Sequence, residues 1–470
     1  MAGLDPEDWS GIRAMGHQML DALFDRMEHV GEGPVWQPMP QAARDALKTG
    51  FPEQGQSLED LHDRFTDLVV PYGNGNIHPG FMGWVHGAGT PVGMLAEMLA
   101  GGMNANCGGR SHAANEVERE VIRWALSMVG MPEDGSGCLV TGSSMANFIS
   151  IITASRAQDI TLRSQGVGGR KMVGYAAATA HGCLPRAFDL AGFGSDALRR
   201  VPVLADHRMD LVALKRMIRE DREAGYTPFM VAGTAGTVDC GAIDDLAGIE
   251  AIARENGLWF HVDAAFGALA CLCSRFKNAL SGIEKADSLA FDFHKWAQVP
   301  YDAGCVLVRD RKAHAAAFAQ SLDYLTREPR GLASGAPWFC DFGPDLSRGF
   351  RALKVWMTLG HYGSERMGQM VEECCDVAAH LAHRVQTTSG LVLLAPVTLN
   401  IVCFGVDGLS DQDVSELVQD LHESGVAAPS TTRINGRLAV RAAIVNHRTT
   451  TADTDRMLDA VIALAADRRA

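Results

Sequence analysis

The sequence predicts an α/β fold in which a mostly parallel, seven-stranded sheet is wrapped by helices. Seven short apolar runs typical of strands lie between residues 138 and 308, and helix-length segments separate most of them. The chain of 470 residues is also too long for one simple core, which favours two or three domains. The predicted strands are residues 138–141, 172–175, 201–204, 229–233, 258–263, 288–291 and 304–308.

The first 90 residues are poor in strand signals and are predicted to form a helical arm. Apolar side chains recur at helical spacing over residues 9–30, and a second helical pattern over residues 58–70 stops at Pro71. Such a segment cannot form a core alone, so we expect it to pack on a larger body, plausibly a second subunit. Residues 1–90 are therefore the predicted dimerisation segment.

Residues 91–350 are predicted to form a large domain and residues 351–470 a small α+β domain. In a parallel sheet, ligands bind beyond the carboxyl ends of the strands, so we expect the chemistry directly after the apolar runs of the large domain. The small domain shows helical patterns over residues 351–385, 411–424 and 450–466, and strand patterns over residues 391–406 and 438–444.

Composition and charge disfavour several functional classes. The 56 acidic residues outnumber the 42 Lys and Arg residues, and the resulting net charge of -14 repels a phosphate backbone. Basic residues form only short clusters, which disfavours binding to an anionic membrane surface. No apolar run approaches the roughly 18 residues that cross a bilayer, and the first ten residues do not resemble a signal peptide. We therefore expect a cytoplasmic protein without a nucleic-acid or membrane partner.

The eleven cysteines are an odd number and follow no framework spacing, which indicates reduced thiols rather than a disulfide scaffold. The pairs Cys271/Cys273 and Cys374/Cys375 resemble half of a metal site. No second pair of Cys or His follows them at ligand spacing, so we predict no metal site.

A lysine directly after a predicted strand is the first candidate for chemistry. Lys295 follows the apolar run 288–291 and lies between His294 and Trp296. Burial at a strand end can lower the pKa of such an amine from about 10.4 and make it a nucleophile at neutral pH. An ordinary surface lysine explains this segment alone equally well.

Three other strand ends carry polar side chains that suit a flat, phosphorylated ligand. Asp263 ends one run, and its carboxylate can hold a proton on a ring nitrogen or simply cap the next helix. Ser143 and Ser144 open a helix whose free N–H groups suit a phosphate, although serine is also a common cap. His181 follows another run, and its ring can stack on a flat ligand or play a structural role.

Seven motifs in one order make the sequence similar to a known family. The motifs are HPGFMGW, TGSSMAN, AHGCLPRAF, GTAGTVDCGAIDDL, HVDAAFG, DFHKW and FRALKVW. Together they resemble the group II pyridoxal 5′-phosphate (PLP)-dependent amino acid decarboxylases, which include the aromatic L-amino acid, glutamate and histidine decarboxylases. The resemblance covers nearly the whole chain. It implies the PLP-dependent transferase fold of aspartate aminotransferase (fold type I), and a homodimer with its active site at the subunit interface.

The resemblance also implies roles for individual residues. Lys295 would hold PLP as a Schiff base, Asp263 would pair with the ring nitrogen, and His181 and Ala265 would lie on the two ring faces. Lys295, Asp263 and His181 are the predicted catalytic residues. Asp292 stands where many relatives have an asparagine, so its contact with the cofactor is an open question. The further implied cofactor contacts are Ser143, Ser144, Met145, Thr237, Asp292 and His294.

The predicted reaction is the loss of CO2 from an L-amino acid to give an amine. Many relatives manage the proton with a tyrosine on a loop before the FRALK helix. Here that region contains Trp338, Phe339 and Cys340, and Tyr324 resembles a position nearer the start of the loop. In plant relatives a phenylalanine in place of the tyrosine accompanies decarboxylation with oxidative deamination, which yields an aldehyde. An aldehyde synthase, or an aminotransferase on the same fold, is therefore the alternative.

Two segments and the loop supply candidate substrate residues. Trp84 and His86 could form an aromatic wall, and Phe339 could reach the substrate from the loop. Relatives contribute another segment from the neighbouring subunit, and here its polar residues Asn104 and Asn106 suit a polar or acidic side chain. Hydrogen bonds across the subunit interface explain these two residues equally well.

Overall fold

The computed structural model describes residues 3–320 and 326–469, which form two sheets covered by helices. Strands are numbered in chain order. The larger sheet contains β2 (Ser136–Val140), β3 (Met172–Ala177), β4 (Leu198–Val201), β5 (Thr227–Thr234), β6 (Trp259–Asp263), β7 (Ser288–Asp292) and β8 (Gly304–Val308). The smaller sheet contains β1 (Phe81–Met82), β9 (Leu391–Leu393), β10 (Ile401–Val406), β11 (Ala428–Ile434) and β12 (Arg437–Ala443).

Helices precede, connect and follow these strands. Several begin at polar caps; the Asp8 carboxylate accepts N–H groups at the start of the first helix, and Ser57 does so for the third. The helices are α1 (Trp9–Glu28), α2 (Gln41–Ala46), α3 (Leu58–Leu68), α4 (Pro91–Met103), α5 (Ala113–Val129), α6 (Ser143–Gln158), α7 (Leu162–Gln165), α8 (Cys183–Leu190), α9 (Leu211–Glu223), α10 (Leu246–Asn256), α11 (Arg311–Phe318), α12 (Arg351–Thr387), α13 (Asp411–Glu423) and α14 (Thr451–Arg469).

The larger sheet has the strand order β2-β8-β7-β6-β5-β3-β4. Only β8 runs against the others, because it pairs in antiparallel fashion with both β2 and β7. The predicted mostly parallel, seven-stranded sheet is therefore confirmed. The strand predicted at residues 201–204 lies earlier, at Leu198–Val201. Pro202 has no N–H group for a ladder, so the strand ends before it.

The smaller sheet joins the two ends of the chain. β1 from the N-terminal arm pairs in parallel with β11, with Phe81 opposite Ala428. The buried Arg441 guanidinium reinforces this junction by donating hydrogen bonds to the carbonyl oxygens of Gly83 and Val238. The domain boundaries at residues 90 and 350 stay a prediction, but one strand of the arm completes a sheet of the C-terminal segment.

The long helix α12 packs against α4, α5 and α14 and so connects the two sheets. It contains a kink at Gly363, whose backbone has φ 74° and ψ 160°. A positive φ of this size is accessible to glycine at little cost. The structure contains no helix, within the residues it describes, that is long and apolar enough to cross a membrane.

Candidate active site

The ends of the parallel strands bring the predicted site residues to one edge of the larger sheet. Lys295 follows β7, Asp263 ends the neighbouring strand β6, and His181 comes after β3. Ser143 begins α6 directly after β2. Because these strands run in the same direction, their carboxyl ends meet there, as the strand pattern predicted.

Lys295 is partly shielded and lies beside a carboxylate. Its side chain is 20% exposed, and its Nζ lies 2.9 Å from Oδ2 of Asp292. The Lys295 charge also opposes the rise that burial causes in the pKa of Asp263, and it adds to burial in lowering the pKa of His86. Both residues are therefore near enough for an electrostatic interaction with the amine. An acid, an imidazole and an amine thus lie close together.

Asp263 is buried, and each of its carboxylate oxygens accepts a hydrogen bond. The Ala265 N–H donates to Oδ1 at 3.1 Å, and Nδ2 of Asn147 donates to Oδ2 at 3.2 Å. Burial raises the pKa of Asp263, and the charges of Lys295 and His181 oppose this rise. Hydrogen-bond donors and nearby cations therefore favour the carboxylate form, which can hold a proton on a ring nitrogen.

A buried chain of hydrogen bonds extends from Asn147 away from the site. Asn147 Oδ1 lies 2.6 Å from Nε2 of His261, and Nδ1 of His261 lies 2.9 Å from the Ser288 hydroxyl. The Trp259 indole N–H donates to the same hydroxyl at 2.8 Å. Asn147, His261 and Ser288 were missed in the sequence, although His261 stands two residues before Asp263 on the same strand.

The donors and acceptors fix the direction of this chain. Burial lowers the pKa of His261 to about 3, so the ring is neutral and carries a single N–H. Because the Asn147 amide oxygen faces Nε2, that nitrogen carries the hydrogen, and Ser288 donates to Nδ1. Each hydrogen bond in this series is therefore donated in the direction from Trp259, whose indole can only donate, towards Asp263. The last member, the Asp263 carboxylate, accepts.

The first turn of α6 forms a cradle of N–H and hydroxyl groups. Ser144 is exposed, and within residues 3–320 and 326–469 its amide and hydroxyl have no protein partner. Ser143 is buried and donates both its N–H and its hydroxyl to Asp292. The Met145 N–H donates to the Gly142 carbonyl at 2.9 Å. Of the three predicted phosphate contacts on this turn, Ser144 has its donors free.

His294 lies beside this turn in a defined tautomer. Its Nδ1 accepts the Ala303 N–H at 3.0 Å, so Nε2 carries the hydrogen of the neutral ring. Burial lowers the pKa of His294 to about 4. Nε2 lies 3.7 Å from Oδ2 of Asp292. His294 can therefore offer one N–H to an anion at the cradle.

His181, Ala265 and Thr237 differ in their availability. His181 is exposed, and its Nδ1 accepts the Cys183 N–H at 3.1 Å, which leaves the Nε2 side of the ring facing outward. Ala265 is small and partly buried next to Asp263. Thr237 is buried, and its hydroxyl accepts the Ala242 N–H at 3.1 Å within its own loop. The Thr237 hydroxyl is therefore already hydrogen-bonded within its own loop.

An aromatic run leads from the N-terminal arm towards Lys295. Trp84 is 54% exposed, and its ring centroid lies 5.9 Å from that of His86. His86 contacts Tyr301 edge-on at 5.9 Å, and Tyr301 lies 4.3 Å from the ring of His294. The sequence analysis missed Tyr301, although it follows Lys295 by only six residues. These rings form one wall beside the amine.

The other predicted substrate residues lie in different surroundings. Asn104 is exposed at the end of α4, whereas the Asn106 side-chain oxygen accepts the N–H groups of Gly108 and Arg348. Phe339 is buried, and the Arg348 guanidinium lies 5.0 Å from its ring centroid. Tyr324 lies outside the residues that the structure describes. Within one chain, Asn106 therefore stabilises a turn, and Phe339 packs in the interior.

The model of the pyridoxal-dependent decarboxylase conserved domain matches residues 40–407. The chain belongs to the pyridoxal-dependent decarboxylase family. The motifs had predicted this membership, and the match confirms it. The family's cofactor is PLP, and the residues present fit it: the amine of Lys295, the buried acid Asp263 and the free donors of Ser144 lie at one sheet edge.

Curated relatives of this decarboxylase cover almost its whole length. An aromatic-L-amino-acid decarboxylase from Bacillus atrophaeus is 30% identical over 97% of this chain and 95% of its own. A phenylacetaldehyde synthase from Arabidopsis thaliana is 28% identical over 94% of this chain and 93% of its own. The protein is therefore a PLP-dependent amino acid decarboxylase, and the alternative of an aldehyde synthase is closely related.

A solved structure confirms the fold of the decarboxylase. Tryptophan decarboxylase from Catharanthus roseus, crystallised in complex with L-tryptophan, superposes with a TM-score of 0.88. It is 25% identical, and the match covers 99% of this chain and all of that one. The predicted PLP-dependent transferase fold (fold type I) is thus confirmed.

Proposed function

We propose that the protein decarboxylates aromatic L-amino acids to the corresponding amines. The observation that carries this proposal is the aromatic run of Trp84, His86 and Tyr301 beside Lys295. Flat, apolar rings bind an aromatic side chain through large contact areas and favourable edge or stacked geometry. The name of the Bacillus atrophaeus relative supports the same substrate class.

We assign the reaction roles to residues of the sheet edge. Lys295 would hold the cofactor through its amine, and Asp263 would keep a proton on the ring nitrogen. PLP, when bound, accepts the electron pair left by the breaking bond between Cα and the carboxylate. His181 covers one ring face, and Ala265 leaves room on the other. Ser144 and His294 bind the phosphate.

A screen of amino acids tests the substrate class. The PLP-loaded protein is given L-tryptophan, L-tyrosine, L-phenylalanine, L-glutamate and L-histidine, and released CO2 is measured. We expect one or more of the three aromatic substrates to exceed L-glutamate and L-histidine at least tenfold in kcat/KM. Trp84→Ala should raise KM for that substrate more than it lowers kcat, because it removes binding surface and leaves Lys295 and Asp263 in place. Preference for glutamate would contradict the proposal.

A second candidate is decarboxylation coupled to oxidative deamination. Residues 326–350 contain no tyrosine, and Phe339 stands in the region where relatives carry one. This reaction consumes O2 and water and releases an aldehyde, CO2, ammonia and hydrogen peroxide. Peroxide and ammonia in equal amounts to CO2 identify the synthase, whereas an amine in equal amount identifies the simple decarboxylase.

We propose that the protein acts as a homodimer formed through the N-terminal arm. Neither α1 nor α3 has a buried residue, and their facing sides line an apolar groove of about 380 Å³ that includes Leu23 and Phe65. Large exposed apolar patches mark interfaces, and a second copy would bring Asn104 and Asn106 to the neighbouring site. Phe65→Glu should convert a dimer to a monomer in sedimentation analysis. A wild-type monomer would refute this proposal.

We also propose a cytosolic location. All eleven cysteines are free thiols, and most are buried, which suits a reducing compartment.

A further inference from the structure

The cradle of N–H and hydroxyl groups in the first turn of α6 already binds a carboxylate of the protein itself. The Asp292 carboxylate accepts the Ser143 N–H at 2.6 Å through Oδ1 and the Ser143 hydroxyl at 2.7 Å through Oδ2. Oδ2 also lies 2.9 Å from Nζ of Lys295. Asp292 is 1% exposed, so water contributes little to its charge balance. The first N–H of the helix, which suits a phosphate oxygen, is thus occupied.

In the cofactor-free protein, the free ammonium group of Lys295 balances the charge of Asp292. The ammonium is the cation in direct contact with the carboxylate. His294 is neutral, since burial lowers its pKa to about 4. When the Lys295 amine condenses with the aldehyde of the cofactor, this contact is replaced, and a phosphate with up to two negative charges enters the same turn. Two anions then share one helix N-terminus, and one of them, the Asp292 carboxylate, is buried.

We propose that Asp292 weakens the binding of the cofactor phosphate and thereby makes PLP readily exchangeable. In the cofactor-free protein, its carboxylate fills the Ser143 donors and pairs with Lys295. In the loaded protein, it lies beside the phosphate and leaves Ser144 as the free serine of the turn. Asp292 is thus a specificity residue for the phosphate group, and this inference rests on the proposed placement of that group.

Titration of the cofactor-free protein with PLP and with pyridoxal tests the proposal. Pyridoxal carries the same aldehyde and ring but no phosphate, and the absorbance of the cofactor reports binding of both. We expect Asp292→Asn to bind PLP at least tenfold more tightly than the wild type, because a neutral amide does not repel the phosphate. Its affinity for pyridoxal should change less than threefold.

Comparing PLP with pyridoxal separates an effect of Asp292 on the cofactor phosphate from an effect on the Lys295 amine. An equal gain in affinity for PLP and for pyridoxal would mean that Asp292 acts through Lys295. That result would overturn the proposal. An unchanged or weaker affinity of Asp292→Asn for PLP would also overturn it. Asp287→Asn is the matched control, because it removes a carboxylate that pairs with Arg254 at the opposite end of β7, and its PLP affinity should stay within threefold.

A second variant and a second ligand keep the test decisive. Asp292→Ser also removes the charge and can still accept the Ser143 N–H, so it should show the same preference for PLP if the asparagine variant fails to fold. Inorganic phosphate should compete with PLP with an inhibition constant at least tenfold lower in the variant than in the wild type. These absorbance measurements do not depend on CO2 release, so a wrong substrate class would leave them intact.

Discussion

Asp263 accepts hydrogen bonds from Ala265 and Asn147. Behind Asn147, a series of buried hydrogen bonds is donated in one direction, towards Asp263. Asn147 presents its N–H group to the carboxylate because its oxygen is engaged by a neutral His261. A protonated Asp263 would accept more weakly from these donors than the carboxylate does, because hydrogen bonds to a charged acceptor are the stronger ones. These hydrogen bonds therefore favour the charged form of the acid, which we propose pairs with the ring nitrogen of the cofactor.

Replacement of Asp263 tests this role at a single residue. Asp263→Ala should lower kcat by about two orders of magnitude or more, because the bound ring can no longer keep its proton and accept the electron pair. The cofactor should remain bound, since Lys295 and the α6 turn are untouched. CO2 release and cofactor absorbance are measured together, with the exposed Asp189→Ala as control. Turnover near that of the wild type would remove the proposed role.

Residues of the sheet edge were predictable where a motif or a strand end marked them. Lys295, Asp263 and Ser144 each follow an apolar run, and the fold brings them to one edge. The partners of Asp263, Asn147 and His261, were not predicted. The role of a buried amide on a helix depends on which strand the helix packs against, and the sequence does not show this. Two signals were present. His261 alternates with Asp263 along β6, and Asn147 stands one turn after Ser143 on α6.

At the scale of the elements, the cradle depends on a close approach of two backbones. β8 enters the sheet next to β2, and a Cβ atom built on Gly304 would lie 2.4 Å from Cα of Gly142. Gly142 precedes the first turn of α6, whose N–H groups form the cradle. The position of the helix N-terminus is thus set by the absence of a side chain on the neighbouring strand.

Gly304→Ala should therefore disturb the cradle. We expect the free energy of unfolding to fall by about 1–3 kcal/mol, as for other overpacked sites, and PLP binding to weaken. Gly360→Ala is the matched control, because a Cβ atom there meets nothing within 4 Å on α12. It should leave PLP binding unchanged and raise helix stability by up to about 1 kcal/mol. Urea unfolding and PLP titration of both variants check this, and equal behaviour of the two would contradict it.

Elements were predictable where apolar runs were long and free of breakers. β11 was missed because its residues 430–433 are polar, and its pairing with both β1 and β12 compensates for their weak strand signal. The strand β4 was placed too late because the apolar run crosses Pro202. Local pattern therefore sufficed for the central strands and for β9, β10 and β12, whereas tertiary pairing defined β1 and β11.

At the scale of the whole molecule, buried histidines link stability to pH. Burial lowers the pKa of His261 and His314 to about 3 and that of His294 to about 4. Unfolded chains bind protons at histidine below about pH 6.5, so these rings lower the free energy of unfolding as the pH falls from about 6.5 to 4. Asp244, whose pKa burial raises to about 6, acts in the opposite direction below that pH.

His314→Gln isolates one of these contributions. Between pH 6 and 4, the free energy of unfolding of the wild type should fall more steeply than that of the variant, by about 1.4 kcal/mol per pH unit. Urea unfolding of the cofactor-free protein at several pH values measures the two slopes. The exposed His383→Gln is the control and should follow the wild type. Parallel slopes for His314→Gln and the wild type would contradict the assignment.

The pairing of β1 with β11 has a consequence for the order of events during synthesis. Phe81 is synthesised 347 residues before its partner Ala428. The segment that carries Trp84 and His86 therefore cannot be anchored by this pairing until β11 has been synthesised. A nascent chain with a finished central sheet still lacks β11, the strand that pairs with β1 beside this wall of the active site, so truncated products should be unable to bind substrate normally.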